Sequence, residues 1–370
     1  MLSMKRILKW GVPLLLILLI IIFRWIPAGA EWYARICYPA ISAVLSAFSS
    51  LFPFSVGDCF IVGACLWLLT YPFYAWWKKK GLRHTLSKMV LFLMWIYIWF
   101  YLAWGMNYFR LPFYERTAIP VAGYAADEFR DFLDAYILHL NQSYDSVSGD
   151  KGTNWYTAPY KMAENTEDLT MANEVYLGYQ RIASHYGLVE PRKGLHPKWM
   201  LWSGGISRVG VTGYMGPIFS EFNLNRDLLN VEYPFTYAHE LAHRLGIAGE
   251  AEANLYAALV TTGSEVSEIR FSGYFSLLGY IMRNARYLLP EEDYKEVVQQ
   301  VKPEILEIYR QHLIYWRDKY QPLAGKIQDK VYNAYLKGNK IDNGTKNYSE
   351  VVGLLMSLRE AGEPNIIPGG

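Results

Sequence analysis

Cysteine is nearly absent from this chain: its 370 residues hold three, Cys37, Cys59 and Cys65, all before residue 66. Whatever follows must fold without disulfides and without a cysteine-ligated zinc. A stretch of about 260 residues is long enough to do so on its own core. Charge is scarce too, 19% of residues, and 36 basic against 34 acidic side chains leave a net of only +2. So small an excess gives no argument for a nucleic-acid partner. The chain also has no internal repeat and no glycine-rich nucleotide loop.

What is plentiful is apolar sequence, 52% hydrophobic and 16% aromatic, concentrated before residue 106. Residues 7 to 26 form a run long enough to span a bilayer. The bulky flank Arg24-Trp25-Ile26-Pro27 and the further apolar segments mark it as an uncleaved anchor, not a signal peptide. Two more spans are expected at about 57 to 77 and 89 to 106, with Trp and Tyr at their edges as suits the interface. The stretch Tyr38 to Pro53 either lies in the interface or re-enters the bilayer. Lys5 and Arg6 precede the first span, and Lys78 to Lys80, Arg83 and Lys88 separate the second from the third. The positive-inside rule puts both groups in the cytoplasm. The expected organisation is therefore a membrane anchor over residues 1–106 and an extracytoplasmic domain over 107–370.

That second domain reads as mainly helical. Ala125 to Tyr144 and Asp168 to Tyr186 have helical periodicity, with a polar loop from Ser146 to Asn154 between them. His139 and His185 lie on these helices without a second ligand at metal spacing, which makes them surface or packing residues. Between Lys198 and Asn230 the chain turns rich in glycine and β-formers, so short strands joined by tight turns are expected. Gly213 to Asn225 is the candidate for an edge strand that pairs with a substrate backbone, or else a structural hairpin. Beyond residue 254 one helix is expected to Leu289 and, after Pro290, another from Glu291 to Tyr320. Residues 361–370 read as a frayed tail.

The chemistry concentrates at 239–254. His239-Glu240-Leu241-Ala242-His243 is His-Glu-x-x-His. On a helix the two histidines share a face and can bind one metal, while Glu240 can take a proton from a water on its open side. Gly246 is a natural helix stop, accepting the left-handed conformation, and Glu250-Ala-Glu-Ala-Asn-Leu-Tyr then opens a new helix. A catalytic zinc needs a third protein ligand. Glu250, four residues from Asn254 and on its face, is assigned that role, with Glu252 as the substitute. Arg270, Tyr274, Tyr280 and Arg283 are candidates for stabilising an oxyanion, and nothing in the sequence chooses among them.

With Glu250-x-x-Ala253-Asn254 after it, the motif resembles that of zinc metallopeptidases whose third ligand is a glutamate. More closely, the chain is similar to a bacterial envelope family, domain of unknown function 3810. The similarity rests on the apolar N-terminal third, Trp-Gly-Met-Asn-Tyr-Phe-Arg at 104–110, the glycine-rich stretch before the motif, Tyr-Leu-Lys-Gly-Asn at 335–339, and Tyr348-Ser349. Gly-Pro-Ile-Phe-Ser-Glu-Phe-Asn at 216–223 departs from the expected aromatic-Pro-Phe pattern, which bears on substrate preference. The resemblance implies a zincin-like fold, Zn²⁺, and cleavage of a peptide or protein at the outer face of the cytoplasmic membrane. The alternative from another class is a non-catalytic binding or scaffold protein with a structural or vestigial zinc site. Oligomeric state and natural substrate are left open.

Overall fold

The computed structural model describes residues 4–123, 125–149, 152–161, 166–339 and 350–363. Tyr348-Ser349 and the end of the expected tail, 364–370, lie outside them. Helix dominates, with one small three-stranded sheet. The chain divides into two compact units, Met1–Leu111 with Met215–Glu221, and Pro112–Tyr214 with Phe222–Gly370.

In the first unit, helices Val56–Trp77 and Leu82–Ala103 are each long and apolar enough to cross a membrane. The expected straight span at 7–26 is instead one limb of a bent pair, Leu8–Phe23 and Pro27–Ser49, turned by 105° at the break. Pro27 explains the turn. It lacks the N–H that would continue the first helix, but it fits the opening turn of the next. The stretch 38–53 accordingly falls mostly in helix Tyr38–Ser49, and three separate straight spans become two plus one broken span or re-entrant loop. Segment 215–221 is fixed to this unit by polar contacts. The Trp99 indole donates to the Ile218 carbonyl at 2.9 Å, and the Ser42 and Ser220 hydroxyls meet at 2.6 Å. The Glu221 carboxylate accepts from the backbone N–H groups of Val56 (3.1 Å) and Gly57 (2.7 Å). It thereby satisfies donors that every helix N-terminus leaves unpaired.

The second unit is built around a pair of helices, Tyr233–Arg244 and Glu250–Thr262, both packed on Ser267–Leu288. Ala126–Ser148 covers the far side of Ser267–Leu288, while Thr166–Ala183 and Val351–Glu360 pack on Glu250–Thr262. The core is unusually rich in tyrosine, and the hydroxyls find partners, as burial demands. Tyr136 donates to the Tyr274 carbonyl at 2.6 Å, Tyr179 to that of Ala238 at 2.6 Å, and Tyr237 to that of Leu195 at 2.7 Å. The single helix expected from 254 to 289 is two, because the chain turns at Gly263 and restarts at Ser267. The one expected from 291 to 320 likewise splits into Glu291–Gln300 and Pro303–Lys319 at its proline. Pro322–Gly338 follows.

The sheet is smaller than the glycine-rich sequence suggests: β1 (Lys198–Trp199), β2 (Gly213–Gly216) and β3 (Glu221–Leu224), in the order β1-β3-β2. β1 runs parallel to β3, with Lys198 opposite Asn223 and Trp199 opposite Leu224. Phe222 and Leu224 are buried, and the Phe222 ring meets Tyr237 edge-on at 5.2 Å, which seats β3 against the motif helix. In the candidate substrate strand 213–225, only β2 therefore keeps a free edge, because β3 is paired on both sides.

Candidate metal centre

The helix carrying the motif is anchored at its start. Pro234 occupies its first turn, and the Phe235 N–H donates to Ser272 Oγ at 3.1 Å. The Glu232 carboxylate just before it accepts from the Leu229 N–H at 3.0 Å and the Trp316 indole at 2.8 Å, and contacts His312 Nε2 at 2.5 Å. At the other end Gly246 has φ 90°, the left-handed stop expected of it. That turn lets the next helix begin at Glu250 and double back beside the first.

The result is a convergence of three groups. His239 Nε2 and His243 Nε2 are 3.0 Å apart, and Glu250 Oε2 lies 3.2 Å from the first and 3.3 Å from the second. One ligand atom from each residue falls within 4.8 Å of the other two, and these three form the only such group among the described residues. The His243 Nδ1–H donates to the Ile247 carbonyl at 2.7 Å, which fixes the tautomer that leaves the Nε2 lone pair facing the cluster. Burial opposes protonation of His243. The Glu250 and Glu240 carboxylates and the Ile247 carbonyl together outweigh it and raise the imidazole to about 9. For Glu250 burial alone would raise the carboxyl, but the two imidazoles hold it well below the usual range. Such mutual pull is what three ligands exert when they share one small space.

Glu240 is buried beside this cluster, and its Oε2 has no hydrogen-bond partner among the described residues. Burial pushes the carboxyl up, the two imidazoles pull it down, Glu250 adds a smaller push, and it ends at about 7. Gly213 of β2 lies directly against it, since a Cβ at that position would come within 2.4 Å of Glu240 Oε1. The glycine is what allows the strand to pass so close to the carboxylate.

Glu252, the substitute ligand, is elsewhere. It forms an ion pair with the buried Arg116, which also donates to the Tyr256 hydroxyl at 3.1 Å. Two positions along a helix rotate a side chain to roughly the opposite face, and Arg116 is what waits there. Among the oxyanion candidates, Arg270 donates to the Ser264 carbonyl at 2.8 Å and so closes the turn between two helices. Tyr274 is core, with His139 stacked on it at 6.2 Å. Arg283 is exposed. Tyr280 alone stays near the cluster: it is raised chiefly by burial and next by the charge of Glu250, while hydrogen-bonding with the Asn254 side chain lowers it. His185 contacts Glu363 at 2.6 Å, so neither His139 nor His185 belongs to the centre.

One participant has no signal in the motif. The Tyr332 hydroxyl donates to Glu250 Oε1 at 2.6 Å from helix Pro322–Gly338, 82 positions away. It holds the carboxylate oxygen that faces away from the histidines. The nearby Tyr-Leu-Lys-Gly-Asn at 335–339 is the closest sequence feature to it, and that feature does not include Tyr332.

The chain belongs to the family described as Protein of unknown function (DUF3810), which matches it over residues 33–356. No curated protein and no solved structure matches it.

Proposed function

We propose that this DUF3810 protein is a membrane-anchored, zinc-dependent peptidase that hydrolyses peptide bonds outside the cytoplasmic membrane. The observation that carries the reading is the convergence of His239, His243 and Glu250 beside a buried carboxylate with an unpaired oxygen. Two neutral imidazoles and one carboxylate are a donor set that suits zinc, and three protein ligands leave a position open, whereas structural zinc sites normally close with four. That favours a catalytic over a structural or scaffold role.

His239 and His243, through Nε2, and Glu250, through Oε2, would hold the ion. Zinc bound there supplies a Lewis acid that polarises a carbonyl and makes water more acidic. Glu240 takes the proton from the attacking water and delivers it to the leaving amine, a role suited to a carboxyl near 7. Tyr332 keeps the second oxygen of Glu250 occupied, so that Glu250 binds through one oxygen only. β2, with its free edge beside Glu240, offers backbone groups along which an extended peptide can align. The helical second unit with its strand beside the motif helix is in keeping with a zincin-like domain.

The side of the membrane follows from one loop. Lys78, Lys79, Lys80, Arg83 and Lys88 join or border the two helices most able to span, with no acidic residue among 78–88. Held in the cytoplasm, this loop places everything after Ala103 outside, however the bent N-terminal pair is arranged. A broken span that crosses would also leave Lys5 and Arg6 inside, which favours crossing and a multi-pass anchor.

The test is zinc content and cleavage of a mixed peptide pool by the purified full chain, native beside Glu240→Gln. The expected result is about one zinc per chain in both and cleavage only by the native chain. Cleavage by Glu240→Gln, or a native chain without zinc, overturns the proposal.

A further inference from the structure

Helix Pro322–Gly338 wears its apolar residues on the outside. Leu323, Ile327 and Val331 follow one another at four-residue intervals and are 76%, 58% and 66% exposed. At roughly 100° per residue they form one ridge, with the small Ala334 in line with it. The opposite face points inward, where Gly325 and Leu336 are buried and Tyr332 reaches Glu250. Lys326, Lys330 and Lys337 fall together along one flank of the ridge, and none of them forms an ion pair with a described residue. Asp329 is the helix's only acid.

A second apolar group is tied to the start of this helix. The Gln321 N–H donates to the Arg208 carbonyl at 2.8 Å, and Arg208 closes the short helix Ser203–Ser207. Just before that helix stand Leu201 and Trp202, 49% and 79% exposed.

We infer that helix Pro322–Gly338 lies on an anionic bilayer surface, with Leu323, Ile327 and Val331 in the headgroup boundary and Lys326, Lys330 and Lys337 on lipid phosphates. An apolar ridge flanked by lysines is the pattern of interfacial helices. Three lysines supply the charge complement that a neutral protein partner would not need. An exposed tryptophan beside the ridge has the amphipathic shape that settles at headgroup level. A bilayer is also the one partner guaranteed to be close, because the same chain carries helices able to cross it. Docking through the ridge leaves the inward face, and with it the contact of Tyr332 with Glu250, undisturbed. This inference does not depend on the peptidase reading.

The test uses the full chain with Cys37, Cys59 and Cys65 replaced by alanine, carrying an environment-sensitive fluorophore on Ile327→Cys or, as the contrasting face, on Asp329→Cys. Each is reconstituted in vesicles of phosphatidylcholine alone or mixed with phosphatidylglycerol. The expected result is a blue shift and loss of iodide quenching at 327 in the anionic vesicles, a water-like signal at 329, and reversal at 327 when the three lysines become glutamate. A water-like signal at 327 in anionic vesicles overturns the inference. Equal shielding in phosphatidylcholine removes the role of lipid charge and overturns it as well. Shielding that appears only at high protein-to-lipid ratio assigns the ridge to a second copy of the chain, and the bilayer inference falls with it.

Discussion

Glu250 and Glu252 stand two positions apart in the first turn of one helix, equally suited by the helix dipole, and their fates are opposite. Glu252 meets a permanent cation, Arg116, with its side chain 2% exposed. Glu250 meets two imidazoles whose charge depends on what they bind. One face of the helix is thereby neutralised once and for all by the chain itself. The other is neutralised by histidines and a hydroxyl arranged around a space that a cation would fill. Structural and metal-binding carboxylates thus differ here in their partners, not in their own burial or position.

The comparison breaks most sharply if the two carboxylates are removed in turn. Glu250→Ala should abolish zinc retention and cleavage while leaving Arg116 paired. Zinc content by elemental analysis after dialysis decides it, and full occupancy in that variant would mean that another residue is the ligand. Glu252→Ala should do the reverse. Zinc stays, but a buried guanidinium loses its partner, at a cost of about 3 kcal/mol. For a domain of this size that lowers the thermal midpoint by roughly 6 to 12 °C. Replacing both partners with apolar residues, Arg116→Met with Glu252→Leu, should recover most of the loss.

Gly213→Ala probes the strand beside the base. Its methyl group would enter space held by the Glu240 carboxylate, so that carboxylate must move. A displacement of the base by about 1 Å costs on the order of a hundredfold in turnover. Zinc content should not change, because Glu240 is not a ligand. A variant with native turnover would show that β2 does not confine the base.

How much of the fold and the site is legible in the sequence depends on how local each signal is. His239, Glu240 and His243 share one helix, and Gly246 and Glu250 follow within a turn, so spacing alone brings them together. The choice of Glu250 over Glu252 also follows from helical rotation. What rotation cannot supply is Arg116, 136 positions away, which shows where Glu252 goes only once the chain is folded. The glycine-rich stretch predicts strands but not their order, and only the order shows that β2, not β3, keeps a free edge. The N-terminal run is apolar enough for a straight span, and Pro27 is visible in it. The size of the bend is not, because a proline marks where a helix restarts but not the direction it takes. Tyr332 lies beyond any such reading, since a tyrosine on an amphipathic helix carries no sign of which distant carboxylate it will meet.

Tyr332→Phe is therefore the finest test of the contrast between the two glutamates. It deletes one oxygen and leaves the ring, its stacking with Tyr335 and the three ligands in place. If Glu250 is held by its surroundings as Glu252 is held by Arg116, freeing its outer oxygen should matter. The carboxylate can then rotate or offer both oxygens to the ion, crowding the open position. Losses on removing such supporting hydrogen bonds run at about 10- to 100-fold in metal affinity or activity. The effect should sit at the lower end of that range, because the two imidazoles still orient Glu250 Oε2. Competition with a chromogenic chelator measures the affinity, and peptide turnover at saturating zinc measures the rest. A variant indistinguishable from the native chain in both would make the Tyr332 bond incidental and leave the histidines alone to position Glu250.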